Sequence, residues 1–302
     1  MSQYLWPVAY TLFIWWFSTG VILYLNGLPR WTFKWTMGGA TFVLLMALVG
    51  LGVTRDDTRI TGAYLAFTFG LLVWAWQEVA FLLGYVTGPR RIECPPESTG
   101  WRRARYAFMA VMHHELALVI LGAAVLAATW GGANQTGMWT FLILWVMRQS
   151  AKLNVFLGVR NLNEGFLPDH LKYLQTYFTR RPMNRLFPIS VISSTLVAAL
   201  IWQEANLADQ DTFDITALTF AATLLTLAVL EHWFLVLPLP FEALWNWGLR
   251  SRTPCAATRR TADHADVGVP AAIAMPEEVS KTEANAMKSV AAGISGTGCI
   301  SY

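Results

Sequence analysis

An all-α integral membrane protein with seven transmembrane helices is the fold class this sequence predicts, on three observations. The first is composition: 55% of the 302 residues are hydrophobic and 14% are charged, with a mean hydropathy of +0.42. A soluble domain carries closer to a quarter charged residues. The second is that the apolar residues gather into seven continuous runs long enough for a hydrocarbon core of about 30 Å, which needs about 20 helical residues. The third is the placement of Lys and Arg. Eighteen of the 22 basic residues fall in loops on one side of the predicted spans and two on the other, which sets the N-terminus outside and the C-terminus in the cytoplasm.

The spans run over residues 4–25, 34–53, 60–86, 106–130, 137–159, 187–203 and 213–237. Each is a continuous run without strand alternation, so helices fit and a β-barrel does not. The first lacks a basic leader and reads as a retained helix. The cytoplasmic loops carry Arg30 and Lys34, then Arg90, Arg91, Arg102, Arg103 and Arg105, then Arg160, Lys172, Arg180, Arg181 and Arg185. Only Arg55 and Arg59 lie opposite. Trp31, Trp35, Trp101, Trp130, Trp139, Trp202, Trp245 and Trp247 fall near span ends, as in an interfacial aromatic belt. In the long loop 161–184, residues 170–178 put Leu171, Leu174, Tyr177 and Phe178 on one face, which predicts a short amphipathic helix in the cytoplasmic interface. Residues 1–250 thus form a polytopic membrane domain. Residues 251–302 lose periodicity and read as a disordered cytoplasmic tail. Cys94, Cys255 and Cys299 form no disulfide framework. The basic loops suit anionic lipid and partner loops, with no nucleic-acid signature.

Ionisable residues inside the spans cost on the order of 2.5–3.5 kcal/mol each. This chain has Glu78 in span three; His113, His114 and Glu115 in span four; Arg148, Lys152 and Asn154 in span five; and Glu231 and His232 in span seven. Counted from the cytoplasmic end of each span, Glu78, His114, Lys152 and Glu231 lie at one depth, roughly 9–12 Å in. That predicts four neighbouring helices around one polar layer. Arg148 and Lys152 share a face four residues apart. His114 and Glu115 are about 100° apart and can reach one site, whereas His113 and Glu115 are about 200° apart. His114 and Glu115 are therefore the preferred pair. Two cations and one protonated histidine would balance the three glutamates. Four roles stay open: helix-packing glue, a histidine ligand to the metal of a chlorin or haem, a redox metal centre using Glu78, Glu115, Glu231, His114 and His232, or ion transport. The absence of a repeated Glu-x-x-His weakens the di-iron form of the third, and the absence of an internal repeat weakens the fourth.

Glu78 followed by GYVTGPRR, then HHELAL, LWVMRQSAKLNVFLGVRNLNEGFLPDHLKYL and RRPMNRLFPIS together resemble the PuhE-type family of photosynthetic complex assembly proteins of anoxygenic phototrophic bacteria. The resemblance runs from the first span to residue 249 and is densest over 84–190. It implies a protein of the bacterial cytoplasmic membrane that assembles the photosynthetic reaction centre with its core light-harvesting antenna, or supplies bacteriochlorophyll to that assembly. It carries over no catalytic residues. Under this reading bacteriochlorophyll or a precursor is the expected ligand, with His114 or His232 as axial ligand and Glu115 or Glu231 orienting it. Glu78, Arg148 and Lys152 complete the site. A metal-dependent enzyme of the pigment pathway, with iron as the metal, and a pure scaffold are the alternatives.

Overall fold

The computed structural model describes residues 2–162, 164–207 and 211–252. The stretch 253–302, nearly all of the expected tail, lies outside the described residues. Seven long helices make up the fold: α1 (Ser2–Asn26), α2 (Phe33–Thr54), α3 (Ile60–Leu82), α4 (Gly100–Thr129), α5 (Thr136–Leu157), α6 (Leu186–Ala205) and α7 (Thr212–Phe234). A four-residue helix, α8 (Asn246–Leu249), and short 3-10 turns lie in the connections. No strand occurs among the described residues; Val159 and Arg180 form one isolated β-bridge.

Six of the long helices, α1 to α4, α6 and α7, are long and apolar enough to cross a membrane. The remaining expected span, 137–159, falls on α5. α5 is as long, at 22 residues, about 33 Å, but Arg148, Gln149, Ser150, Lys152 and Asn154 dilute its apolar run. α3 and α7 form the centre, with 50% and 61% of their most apolar windows buried against 17% for α1 and α2. Large apolar side chains cover the outside, among them Phe42, Val53, Ile189 and Leu200, while Gln77, His114, Asn154 and His232 are buried. An apolar exterior around a mainly apolar core that also holds these polar groups suits lipid as the surrounding solvent.

The two sides of the bundle differ. On one, α2–α3 and α4–α5 are joined by short turns that latch together, Asn134 donating from Nδ2 to Asp57 O (3.0 Å) and from its backbone N to Arg55 O (2.7 Å). Asp211 caps α7 there, accepting from the amides of Phe213 and Asp214.

The Arg-rich side is built from longer connections woven into each other. α3 stops at Leu82, four residues before the expected 86, because Gly84 turns left-handed at φ +82°. Tyr85 N then donates to Ala80 O and Gly84 N to Phe81 O, the Schellman pattern that ends helices at such a glycine. The following segment lies directly on α4. His114 N donates to Thr87 O (2.9 Å), and Arg90 N to Met109 O (3.3 Å). Gly88 permits this approach, since a Cβ there would sit 2.1 Å from Met109 O.

The expected amphipathic helix is a 3-10 helix, Asp169–Tyr177. Its apolar face does not meet lipid: Leu171, Leu174 and Tyr177 are buried against Phe81, Leu82 and Ala110 at the ends of α3 and α4. Tyr177 ties the connections together, accepting from Arg90 Nε (2.8 Å) and donating to Ile92 O (2.9 Å). The last segment runs back along α1. Trp16 Nε1 donates to Leu244 O and Trp245 Nε1 to Trp16 O, both at 2.9 Å. Trp245 is thus buried in protein and not part of an interfacial belt. Ser251 and Arg252, which composition places in the tail, are also docked: Ser251 Oγ donates to Tyr24 O, and Arg252 donates to Asn26 Oδ1 and to the carbonyls of Gly165 and Phe166.

Replacing Gly88 by Ala forces the 84–91 segment off α4. The expected loss is about 1–3 kcal/mol, read as a lowered unfolding temperature in detergent. Gly38→Ala is the control, because nothing lies within 4 Å of a Cβ there; it is expected to be neutral or slightly stabilising.

Candidate functional site

α5 organises the polar layer. It packs against α3, α4, α6 and α7, and its polar residues divide between two faces. Arg148, Gln149 and Lys152 face α3 and α4. Ser150 and Asn154, about 200° round the helix from Arg148 and Lys152, face α7 and α6.

On the first face, Arg148 Nη2 lies 3.3 Å from Glu78 Oε2. Lys152 Nζ lies 2.5 Å from Glu115 Oε1, and Gln149 Nε2 donates to Glu115 Oε2, also at 2.5 Å. Both oxygens of Glu115 are therefore engaged. His114 is buried beside this pair, its Nδ1 3.6 Å from Glu115 Oε1, with its ring edge-on to Phe81 at 4.7 Å. Its backbone is held twice: the amide by Thr87 O, and the carbonyl by Gln77 Nε2 (3.2 Å). His114 Nδ1 and Gln77 Oε1 are buried without a hydrogen-bond partner. His113 is exposed on the outer surface of α4.

On the second face, His232 has both ring nitrogens in use, Nδ1 on Ala228 O (2.8 Å) and Nε2 on Ser150 Oγ (2.9 Å). Asn154, fully buried, donates to Ser190 Oγ (3.1 Å) and accepts from Asn184 Nδ2 (3.0 Å). Asn184 Oδ1 in turn accepts from the amides of Leu186 and Phe187, satisfying the first turn of α6.

The structure brings α3, α4, α5 and α7 together at one depth, but the expected single site is split by α5. Glu231 joins neither face. It is exposed at the edge of the bundle and accepts from Trp15 Nε1 at 2.7 Å. The expected balance of three glutamates by two cations and a charged histidine therefore does not form: an indole N–H serves the third carboxylate. The shared metal centre also fails on geometry. Glu78 and Glu115 are spent on cations, and His232 is on the other side of α5. Among the described residues no group of three or more His, Cys, Asp or Glu is arranged to hold a metal ion.

A family model described as "Protein of unknown function (DUF3623)" matches residues 1–256. The chain belongs to the DUF3623 family. One curated relative, described as an uncharacterized 30.4 kDa protein in the puhA 5′ region of Rhodobacter capsulatus, is 41% identical over 256 residues, covering 82% of this chain and 91% of the relative. No solved structure matches the chain.

Within this DUF3623 chain the residues that complete the layer were not all visible as charges. Gln77, Gln149, Ser150 and Trp15 are neutral, and Asn184 sits in a loop. The Asn before the apolar run of α6 is the one signal that could have been read, as a helix cap. A tetrapyrrole metal needs a free imidazole nitrogen. His232 does not fit that demand, because both of its nitrogens are bonded. His114 keeps an unpartnered Nδ1, but Phe81 and the Glu115–Lys152 pair close over the ring.

Truncating either member of a largely buried ion pair strands the other charge, at about 3 kcal/mol. Glu115→Leu and Lys152→Met should each destabilise the bundle, and the double variant should recover at least about 1 kcal/mol of the summed losses, measured as a double-mutant cycle of detergent unfolding. Glu231→Gln should be near neutral, because the amide oxygen still accepts from Trp15.

Proposed function

We propose that the chain is a non-catalytic assembly factor for the photosynthetic reaction centre and its core antenna. In this reading it is a multi-pass protein of the bacterial cytoplasmic membrane, with the N-terminus periplasmic, the C-terminus cytoplasmic and α5 as a seventh span. The observation that carries the non-catalytic part is that the intramembrane carboxylates and His232 are engaged within the chain. Glu78, Glu115 and Glu231 each have a donor within the chain, and His232 has two bonds. A catalytic layer would leave reactive groups converging on a space for substrate. Support for the photosynthetic setting comes from the R. capsulatus relative, named for the puhA 5′ region, a photosynthesis gene cluster.

A second reading, in which the factor handles bacteriochlorophyll or a precursor as cargo, is favoured by one observation: the buried ring of His114 has a carboxylate, Glu115, 3.6 Å from its Nδ1. Glu115 would orient the ring through Nδ1 and leave Nε2 to the metal.

Deleting the gene in its native host should lower the near-infrared absorption of the assembled core complex several-fold without accumulating pigment precursors. Accumulation of a precursor would favour the enzyme reading instead. Protein purified from pigmented cells separates the two assembly readings. A scaffold is colourless, whereas a cargo carrier shows a chlorin band that His114→Ala removes and His232→Ala leaves. Reporter fusions test the topology: an alkaline phosphatase fused at residue 57 should be active and one fused after Arg252 inactive.

A further inference from the structure

A cavity of about 260 Å³ opens on the Arg-rich side, away from the intramembrane layer. Three connections meet there: the start of α2, the segment after α3 and the Asp169–Tyr177 turn. Its lining includes Arg30, Thr87, Arg91, His170 and Tyr173. Thr87 is 1% exposed. Its Oγ1, Tyr173 Oη and His170 Nε2 are all buried without a hydrogen-bond partner. The Thr87 and Tyr173 hydroxyls are near neighbours but complete no bond of ordinary geometry. An unmade hydrogen bond on a buried polar group costs about 1–3 kcal/mol. The two hydroxyls on one cavity therefore call for a partner that the chain does not supply.

The charge around the cavity says what that partner is. Arg30 and Arg91 stand exposed among the lining residues, and Arg252 is close enough to act on His170. The nearest carboxylate acting on His170, Asp169, is held by Lys172 at 2.6 Å. Burial first, and then the Arg30 charge, hold the His170 imidazole below its ordinary range, as expected where the local potential is positive. Two guanidiniums and two hydroxyls form a donor set for an oxyanion. The volume lies just under the range of drug-sized pockets, about 300–1,000 Å³, and suits a compact headgroup.

We propose that this cavity binds a phosphate group, with Thr87 and Tyr173 donating from its floor and Arg30 and Arg91 closing over it. An anionic phospholipid headgroup and free inorganic phosphate share that chemistry, and the site's position on the basic side of a membrane bundle is compatible with both.

The full chain, purified in detergent, is incubated with phosphatidylglycerol or phosphatidylcholine and analysed by native mass spectrometry. Inorganic phosphate is titrated separately by calorimetry. The double variant Thr87→Val/Tyr173→Phe removes the buried donors with little change of shape, and Arg91→Gln tests the mouth from an exposed position. Preferential retention of phosphatidylglycerol by the wild type, reduced about tenfold in either variant, which is about 1.4 kcal/mol, identifies a lipid site. Binding of inorganic phosphate without lipid preference, lost in the same variants, identifies a soluble ligand. If the double variant does not fold, the Arg91→Gln result stands alone. Wild-type protein that neither prefers phosphatidylglycerol nor binds phosphate overturns the proposal, as does binding equal in wild type and in the folded variants.

Discussion

The structure depends on one helix being polar where its neighbours are apolar. Charged groups in hydrocarbon are tolerated when they meet partners, and α5 supplies those partners to three other helices. Arg148 takes Glu78 from α3, Lys152 takes Glu115 from α4, and Ser150 takes His232 from α7. Asn154 and Asn184 then join α5 to the start of α6. Between membrane helices, where apolar side chains gain nothing from leaving lipid, polar contacts and close packing hold the bundle. The feature that takes α5 out of the set of apolar spans is the one that fixes its neighbours around it.

The Arg-rich side follows a related logic. Many of its basic residues are structural before they can be anything else. Arg90 is bonded to Tyr177 and stacked at 4.3 Å on the Tyr106 ring. Arg103 donates to Tyr177 O and lies over Phe156. Arg180 pairs with Glu164, and Arg252 holds three partners from two other segments. Charge that reads from the sequence as a field directed at lipid or partners is in large part spent on fastening loops to each other. Arg30 and Arg91 remain exposed beside a cavity of unpartnered donors.

Helix number, the long runs and the shared depth of the polar layer were legible because each rests on a local property: apolar length, or distance along one helix. The pairing of Glu78 with Arg148 and of Glu115 with Lys152 was implicit in charge balance and depth. The split of the layer was not legible, since it depends on how α5 is rotated against α3 and α7, and on neutral residues such as Ser150 and Gln149 whose roles come only from neighbours. The role of Trp15 belongs to the same class: an indole with its nearest charged side chain in sequence at Arg30 serves a carboxylate 216 positions away. The Asp169–Tyr177 turn shows the limit of periodicity. Its apolar face was readable, but whether lipid or protein covers that face is decided by the 84–91 segment and the ends of α3 and α4.

The docking of the last segment on α1 bears on how the chain is made. The hydrogen bonds joining Trp16, Tyr24 and Asn26 to residues 244–252 span 226 to 229 positions. Gly20 and Gly248 cross so closely that a Cβ on Gly248 would lie 2.4 Å from Gly20 O. α1 thus waits for nearly the last residues of the bundle before its groove is filled. Synthesis runs at about 5–20 residues per second, so α1 spends on the order of ten seconds or more in the bilayer with that groove bare. The bundle closes on itself only when translation of the membrane domain is complete.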